Sequence, residues 1–67
     1  MQSSARNKLP GIIQDVEVNG LIAKVSVRVG DNHVVAIITA ESVAELELEV
    51  GDAVTVMIKA TSVMLAK

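Results

Sequence analysis

An all-β fold, a small barrel of five short strands with one helical turn, is the architecture these 67 residues predict. Three observations carry that reading. Apolar and polar residues alternate with a period of two through most of the chain. Gly, Asn and Asp recur at the spacing of tight turns. The period shifts towards a helical one only once, near Ser42.

The elements follow in order. Gly11 to Val18 reads as the first strand, with Asp15 and Glu17 on its outer face. Pro10 has no amide hydrogen, so it belongs at that strand's start or edge. Asn19-Gly20 is a two-residue hairpin signal, because both residue types tolerate positive φ. In the second strand Leu21, Ala23, Val25, Val27 and Val29 share one face, while Lys24, Ser26 and Arg28 share the other with Ile22. Gly30-Asp31-Asn32 marks the next turn. The third strand, His33 to Thr39, is apolar on both faces, the pattern of a strand covered on both sides by the barrel or by another subunit.

Ser42-Val43-Ala44-Glu45 fits a capping box and predicts a helical turn from about Ser42 to Leu46, with Val43 and Leu46 on one face. Glu41 and Glu45 lie early in it, where the helix dipole favours negative charge. Val50-Gly51-Asp52 is a turn. Ala53 to Lys59 is a fourth strand with Val54, Val56 and Ile58 on one face, and Val63-Met64-Leu65 a short fifth. Five strands with a helical turn between the third and fourth point to an OB-like Greek-key barrel, with an SH3-like barrel as the rival. No linker or repeat divides the chain, so residues 1–67 read as one domain.

Size and composition add a second expectation. A chain of this length buries a modest fraction of its surface and usually needs a staple. There is no Cys for a disulfide or thiolate metal site and a single His, His33, so a His-cluster metal site is excluded too. There is no aromatic residue, yet 51% of the chain is apolar. Burial between subunits resolves that mismatch, and a homo-oligomer is expected. The formal charge of −2 argues against nucleic acid and anionic lipid as partners. Base stacking on an OB-like face also needs aromatic platforms that this chain lacks. No apolar run is long enough to span a membrane, and the first residues carry no signal-peptide core, so a cytoplasmic location is the default expectation.

Enzymatic readings fail by inventory. His33 stands alone beside a turn, and Glu45, Glu47 and Glu49 alternate with Leu46, Leu48 and Val50 like a solvated edge. No Gly-rich phosphate loop is present. Small-anion binding remains, and three polar segments could serve it. Ser3-Ser4-Ala5-Arg6-Asn7 offers hydroxyls, an amide and a guanidinium. Thr39-Ala40-Glu41-Ser42 offers two hydroxyls and amides at a helix start. Lys59-Ala60-Thr61-Ser62 offers an ammonium, hydroxyls and amides. Each also has a plain structural role open to it, as surface charge, helix cap or strand end.

Ser4-Ala5-Arg6-Asn7-Lys8-Leu9-Pro10-Gly11 closely resembles the SARNxLxG opening of the molybdate-binding Mop proteins, the molbindins. The same module recurs in molybdate-responsive regulators and in some molybdate transporter ATPases. The resemblance continues through Ile38-Thr39-Ala40-Glu41-Ser42, Leu46-Glu47-Leu48-Glu49-Val50-Gly51 and Ile58-Lys59-Ala60-Thr61-Ser62-Val63-Met64, so it spans essentially the whole chain. Pro10 departs from it, where an amide-bearing residue is more familiar.

The resemblance implies an OB-like barrel assembled as a hexamer, a trimer of dimers, holding molybdate or tungstate between subunits. Ser4, Arg6, Thr39, Ser42 and Lys59 would donate from side chains, and Ala5 and Ala60 from backbone amides. No residue would ligate the metal directly, because the protein touches only the oxyanion's oxygens. A carboxylate there would repel, so Glu41 is expected to turn away. A second kind of site near the three-fold axis is implied as well, with the Asn19-Gly20 hairpin as its one candidate. Intracellular molybdenum storage or homeostasis by a free-standing oligomer is the expected role, favoured by the starting Met1. A module of a regulator or transporter, or a purely structural oligomerisation domain, are the alternatives.

Overall fold

The computed structural model describes the backbone from residue 5 to residue 67 and side chains from residue 7. Its strands are β1 (Ala5–Asn19), β2 (Ile22–Val29), β3 (Asn32–Thr39) and β4 (Ala53–Lys59). One helix, α1 (Ala40–Leu46), follows β3, and a 3-10 turn (Ala60–Ser62) follows β4. All ladders are antiparallel and the spatial order is β3-β2-β1-β4. The fourth strand thus returns beside the first by a long connection, the Greek-key arrangement.

β1 organises the sheet by changing partners. Residues Ala5 to Ile12 pair with β4, and Ile12 to Asn19 pair with β2. A straight 15-residue strand would run about 46 Å, yet the molecule's largest extent is 33 Å, so β1 must curl. Two irregularities help it do so. Register slips at Arg6 against β4 and at Gln14 against β2, each leaving one extra residue on β1. Half-buried and buried positions run Asn7, Leu9, Gly11 and Ile13, then resume at Val16. The bulge at Gln14 shifts the phase by one. Pro10 falls where β1 has β4 on one side only, since pairing with β2 starts at Ile12. It therefore occupies the edge segment that its missing amide requires.

The two hairpins are tight. Asn19 pairs with Ile22 and Val29 with Asn32, leaving Gly20-Leu21 and Gly30-Asp31 as two-residue loops. Each has glycine at positive φ in its first position (65° and 60°), as in a type II′ turn. The first turn sits one residue later than the Asn-Gly pattern predicts.

Ile13, Ala23, Val25 and Val27 are the buried apolar residues, on the concave face of the curled sheet. Val16, Val29, Ile38, Val54 and Val56 surround them, and Val43 of α1 and Leu48 of the following loop close the end. The alternation read for β2 and β4 is observed, except that Leu21 lies in the turn and is exposed. The loop after α1 is tied to β1 at the Gln14 bulge: Ile13 N donates to Asp52 O (2.9 Å) and Gly51 N to Ile13 O (2.8 Å).

Four expectations are corrected. The first strand is longer than Gly11–Val18, because its earlier inward positions, Asn7 and Leu9, and the outward Pro10 give little apolar alternation. The helix starts at Ala40 and is capped by Thr39, not Ser42; Ala40 N donates to Leu21 O (2.9 Å), a tertiary bond that fixes the start. Leu46, read as a buried leucine between Glu45 and Glu47, is exposed. The fifth strand does not form in the single chain. Ala60–Ser62 make a 3-10 turn and no ladder bonds follow, leaving Met64 and Leu65 almost fully exposed with no neighbouring strand to pair with.

Glu47 ends α1 in the left-handed region (φ 53°, ψ 45°), a conformation that glycine adopts without penalty. Glu47→Gly is expected to raise stability by about 0.5–1 kcal/mol. Thermal melts should show this as a gain of roughly 2–8 °C.

Candidate functional site

Of the seven candidate anion-binding residues, the six that lie among the described residues fall into two groups. The first lies where β1 begins and β4 ends. Ala5 pairs with Lys59, and Arg6 is the bulge residue between Ala5 and Asn7. Ala60 opens the 3-10 turn that packs against β1. A bulge there frees backbone from the ladder and re-aims the chain, and Asn7 secures it: its Nδ2 donates to Ile58 O (3.3 Å). Sequence reasoning offered Asn7 only as one more amide in a polar stretch. Its service as a substitute ladder donor depends on a register that no local pattern reveals. Ser4 lies outside the described residues.

The second group lies at the end of β3, at the opposite edge of the sheet. Thr39 is the last residue of β3 and Ser42 sits in the first turn of α1. Thr39 Oγ1 accepts from Ser42 N (3.0 Å) and donates to Ser42 Oγ (2.8 Å). Of the amides expected to be open at this helix start, Ala40 N is bound to Leu21 O and Ser42 N to Thr39 Oγ1, which leaves the Glu41 amide and the Ser42 hydroxyl as donors. Glu41 is exposed in the same turn.

One copy of the chain does not join the two groups. Thr39 is level with Ile22 and Asn19, the far end of β1 from Ala5. α1 packs on β2 and β3, whereas the 3-10 turn packs on β1. No hydrogen bond connects the groups among the described residues. Each group on its own is a shallow set of donors at a sheet edge, and the chain holds no cluster of His, Cys, Asp and Glu suited to a metal among the described residues.

The remaining polar features are structural. His33 is exposed at the start of β3 opposite Arg28, whose Nε donates to Gly30 O (3.1 Å). Asp52 Oδ2 accepts from Glu49 N (2.9 Å) and closes the loop after α1. Gly20, next to Asn19, serves the hairpin turn. No helix among the described residues is long and apolar enough to cross a membrane.

A Greek-key sheet curled by bulges, with one helical turn between its third and fourth strands and polar groups gathered at two edges, is the architecture of a small OB-like module. Comparison with known proteins agrees. Residues 3–65 match the TOBE domain model. The chain is 40% identical over 65 residues to a probable molybdenum-pterin-binding protein of Haemophilus influenzae, covering 96% of this chain and 94% of that one. It is 39% identical to the molybdenum transport protein ModE of Azotobacter vinelandii, over 97% of this chain but only 24% of that protein's length. Among solved structures, a molybdate-binding protein from Sporomusa ovata superposes over the full length of both chains with a TM-score of 0.94 at 37% identity. MopII from Clostridium pasteurianum gives 0.90 at 33% identity, over 98% of this chain and 100% of that one. The chain belongs to the TOBE-domain family, in its Mop-type group of molybdate-binding proteins.

Proposed function

We propose that this chain binds molybdate or tungstate as an intact oxyanion, in sites completed between copies of the chain in a homo-oligomer. The observation that carries the proposal is the separation of the donors. Arg6, Lys59 and the amides of Ala5 and Ala60 lie at one sheet edge, Thr39 and Ser42 at the other, and a tetrahedral dianion needs donors from several directions. Two edges facing each other across an interface supply them. Ser4, next to Ala5 in the chain, is the remaining proposed donor.

The exposed apolar side chains support association. Val35 and Ile37 of β3, Met57 of β4, Leu46, Val50, Met64 and Leu65 are all more than half exposed, on a molecule with few fully buried residues. Such a surface is costly in water for an isolated copy. A hexamer built as a trimer of dimers is the assembly proposed, with intracellular molybdenum storage or homeostasis in the cytoplasm as its role. Binding then requires no catalysis: charge-assisted hydrogen bonds from Arg6 and Lys59 offset the two negative charges, and hydroxyls and amides set orientation.

Titration calorimetry with molybdate and tungstate, run beside analytical ultracentrifugation, tests this reading. Saturable binding by an oligomer is expected. A lack of binding at millimolar anion leaves only a structural oligomerisation role, and binding by a stable monomer contradicts the shared site.

A further inference from the structure

The bulge that carries Arg6 is held by a side chain with no place in the proposed donor set. Ala5 stands opposite Lys59 and Asn7 opposite Ile58, so two consecutive residues of β4 face three of β1, with Arg6 as the extra one. A bulge leaves the ladder locally disrupted. This one also has no strand on its other side, since pairing of β1 with β2 begins only at Ile12. Asn7 is half-buried, on the inward-facing row with Leu9 and Gly11, and its Nδ2 donates to Ile58 O at 3.3 Å across the ladder. The partner is a carbonyl oxygen, so the amide must present its nitrogen. That carbonyl belongs to the peptide unit joining Ile58 to Lys59, and Asn7 itself is joined to Arg6. One hydrogen bond thus ties the backbone beside one cation to the backbone beside the other.

We infer that Asn7 is a positioning residue, which sets Arg6 at the spacing from Lys59 that their joint hold on a dianion requires. The inference rests on the oxyanion-binding reading above. Charge-assisted hydrogen bonds need donor–oxygen distances of about 2.7–2.9 Å, so two cations grip one small ion together only at a fixed separation. Cutting the tether lowers the share of molecules with the bulge in its competent form, and apparent affinity falls by that share. A neutral hydrogen bond of ordinary strength sets the fall at about 3–10-fold.

A double-mutant cycle on the assembled protein tests this, with molybdate affinity measured by calorimetry well below the melting temperature of each variant. Asn7→Leu removes the donor at nearly constant size. It is expected to weaken binding about 3–10-fold in the parent, but less than about twofold when Arg6→Ala is already present. Asn7→Ala should show the same coupling and serves as the probe where leucine prevents assembly. A residue that only stabilised the fold would lower the melting temperature and leave affinity alone. One that bound the anion by itself would weaken binding by the same factor in both backgrounds.

Parental affinity in Asn7→Leu or Asn7→Ala overturns the inference, and so does an equal loss with and without Arg6. If the parent does not bind molybdate, it is the oxyanion-binding reading that fails.

Discussion

Lys59→Ala lowers molybdate affinity by about 10–150-fold, the value of one charge-assisted hydrogen bond worth roughly 1.5–3 kcal/mol. Lys59 is the last residue of β4 and is exposed, so its truncation removes a charge without opening a cavity. It stands opposite Ala5, beside the Arg6 bulge, which places two cationic residues within two positions of one another across the ladder. Arg6→Ala should cost a similar amount, or more where the guanidinium makes two parallel bonds to the anion. Circular dichroism and sedimentation of both variants should match the parent. Calorimetry then checks the affinity, and parental affinity in both variants would move the site elsewhere.

Gly11→Ala is expected to be the most damaging single-methyl change in the fold. An added Cβ would meet Val27 Cγ1 at 2.5 Å, Arg28 O at 2.9 Å and Val29 Cγ2 at 3.1 Å. One of these atoms is backbone, so a rotamer change cannot absorb the clash. Gly11 lies immediately before the point at which β1 exchanges β4 for β2, and the missing side chain lets the curled strand cross close over β2. Overpacking of this kind costs about 1–3 kcal/mol, or a fall of roughly 5–20 °C in melting temperature for so small a domain. Differential scanning calorimetry at fixed protein concentration measures it. A melt within a degree or two of the parent would mean that the strands do not approach this closely. In the proposed oligomer, assembly would stabilise the subunit by mass action, and the loss should then deepen on dilution.

Much of this fold is written locally. β2 shows its inward face residue by residue, from Ala23 to Val29, because its ladder is regular and one side is buried. β4 does the same with Val54, Val56 and Ile58. Both glycine turns are visible for the same reason, since positive φ restricts the residue type. β1 is harder to read. Burial alternates without a break from Asn7 to Ile13, but the inward positions before Ile13 are Asn7, Leu9 and Gly11 and the outward ones include Pro10, so an apolar period-two reading finds little strand signal before Gly11. The capping-box pattern puts the helix start at Ser42, whereas the bond from Ala40 N to Leu21 O sets it at Ala40 with Thr39 as the cap. Such a contact leaves no local trace.

The candidate site divides along the same line. Residue chemistry marks Arg6, Lys59, Thr39 and Ser42 as donors, and the family's sequence pattern joins them into one list. Only the ladder shows that Ala5 and Lys59 are neighbours while Thr39 and Ser42 lie at the other edge. Val35 and Ile37 were read as covered on both faces, yet in one copy they are exposed. That pattern is intelligible if sequence records the assembled molecule and a single chain displays only half of it.

Subunit complementation tests this account most directly. Lys59→Glu places a carboxylate in the first donor group. Ser42→Asp places one in the second, at a position in the first helical turn where an acidic residue suits the helix. Neither variant alone should bind molybdate. After the two are mixed, unfolded and reassembled, sites that pair an intact Lys59 edge from one copy with an intact Ser42 edge from another should reappear. In a random one-to-one mixture they make up about a quarter of the interfaces. Recovery of molybdate binding near that fraction is the predicted result. A mixture as inactive as its two components would contradict a site shared between copies.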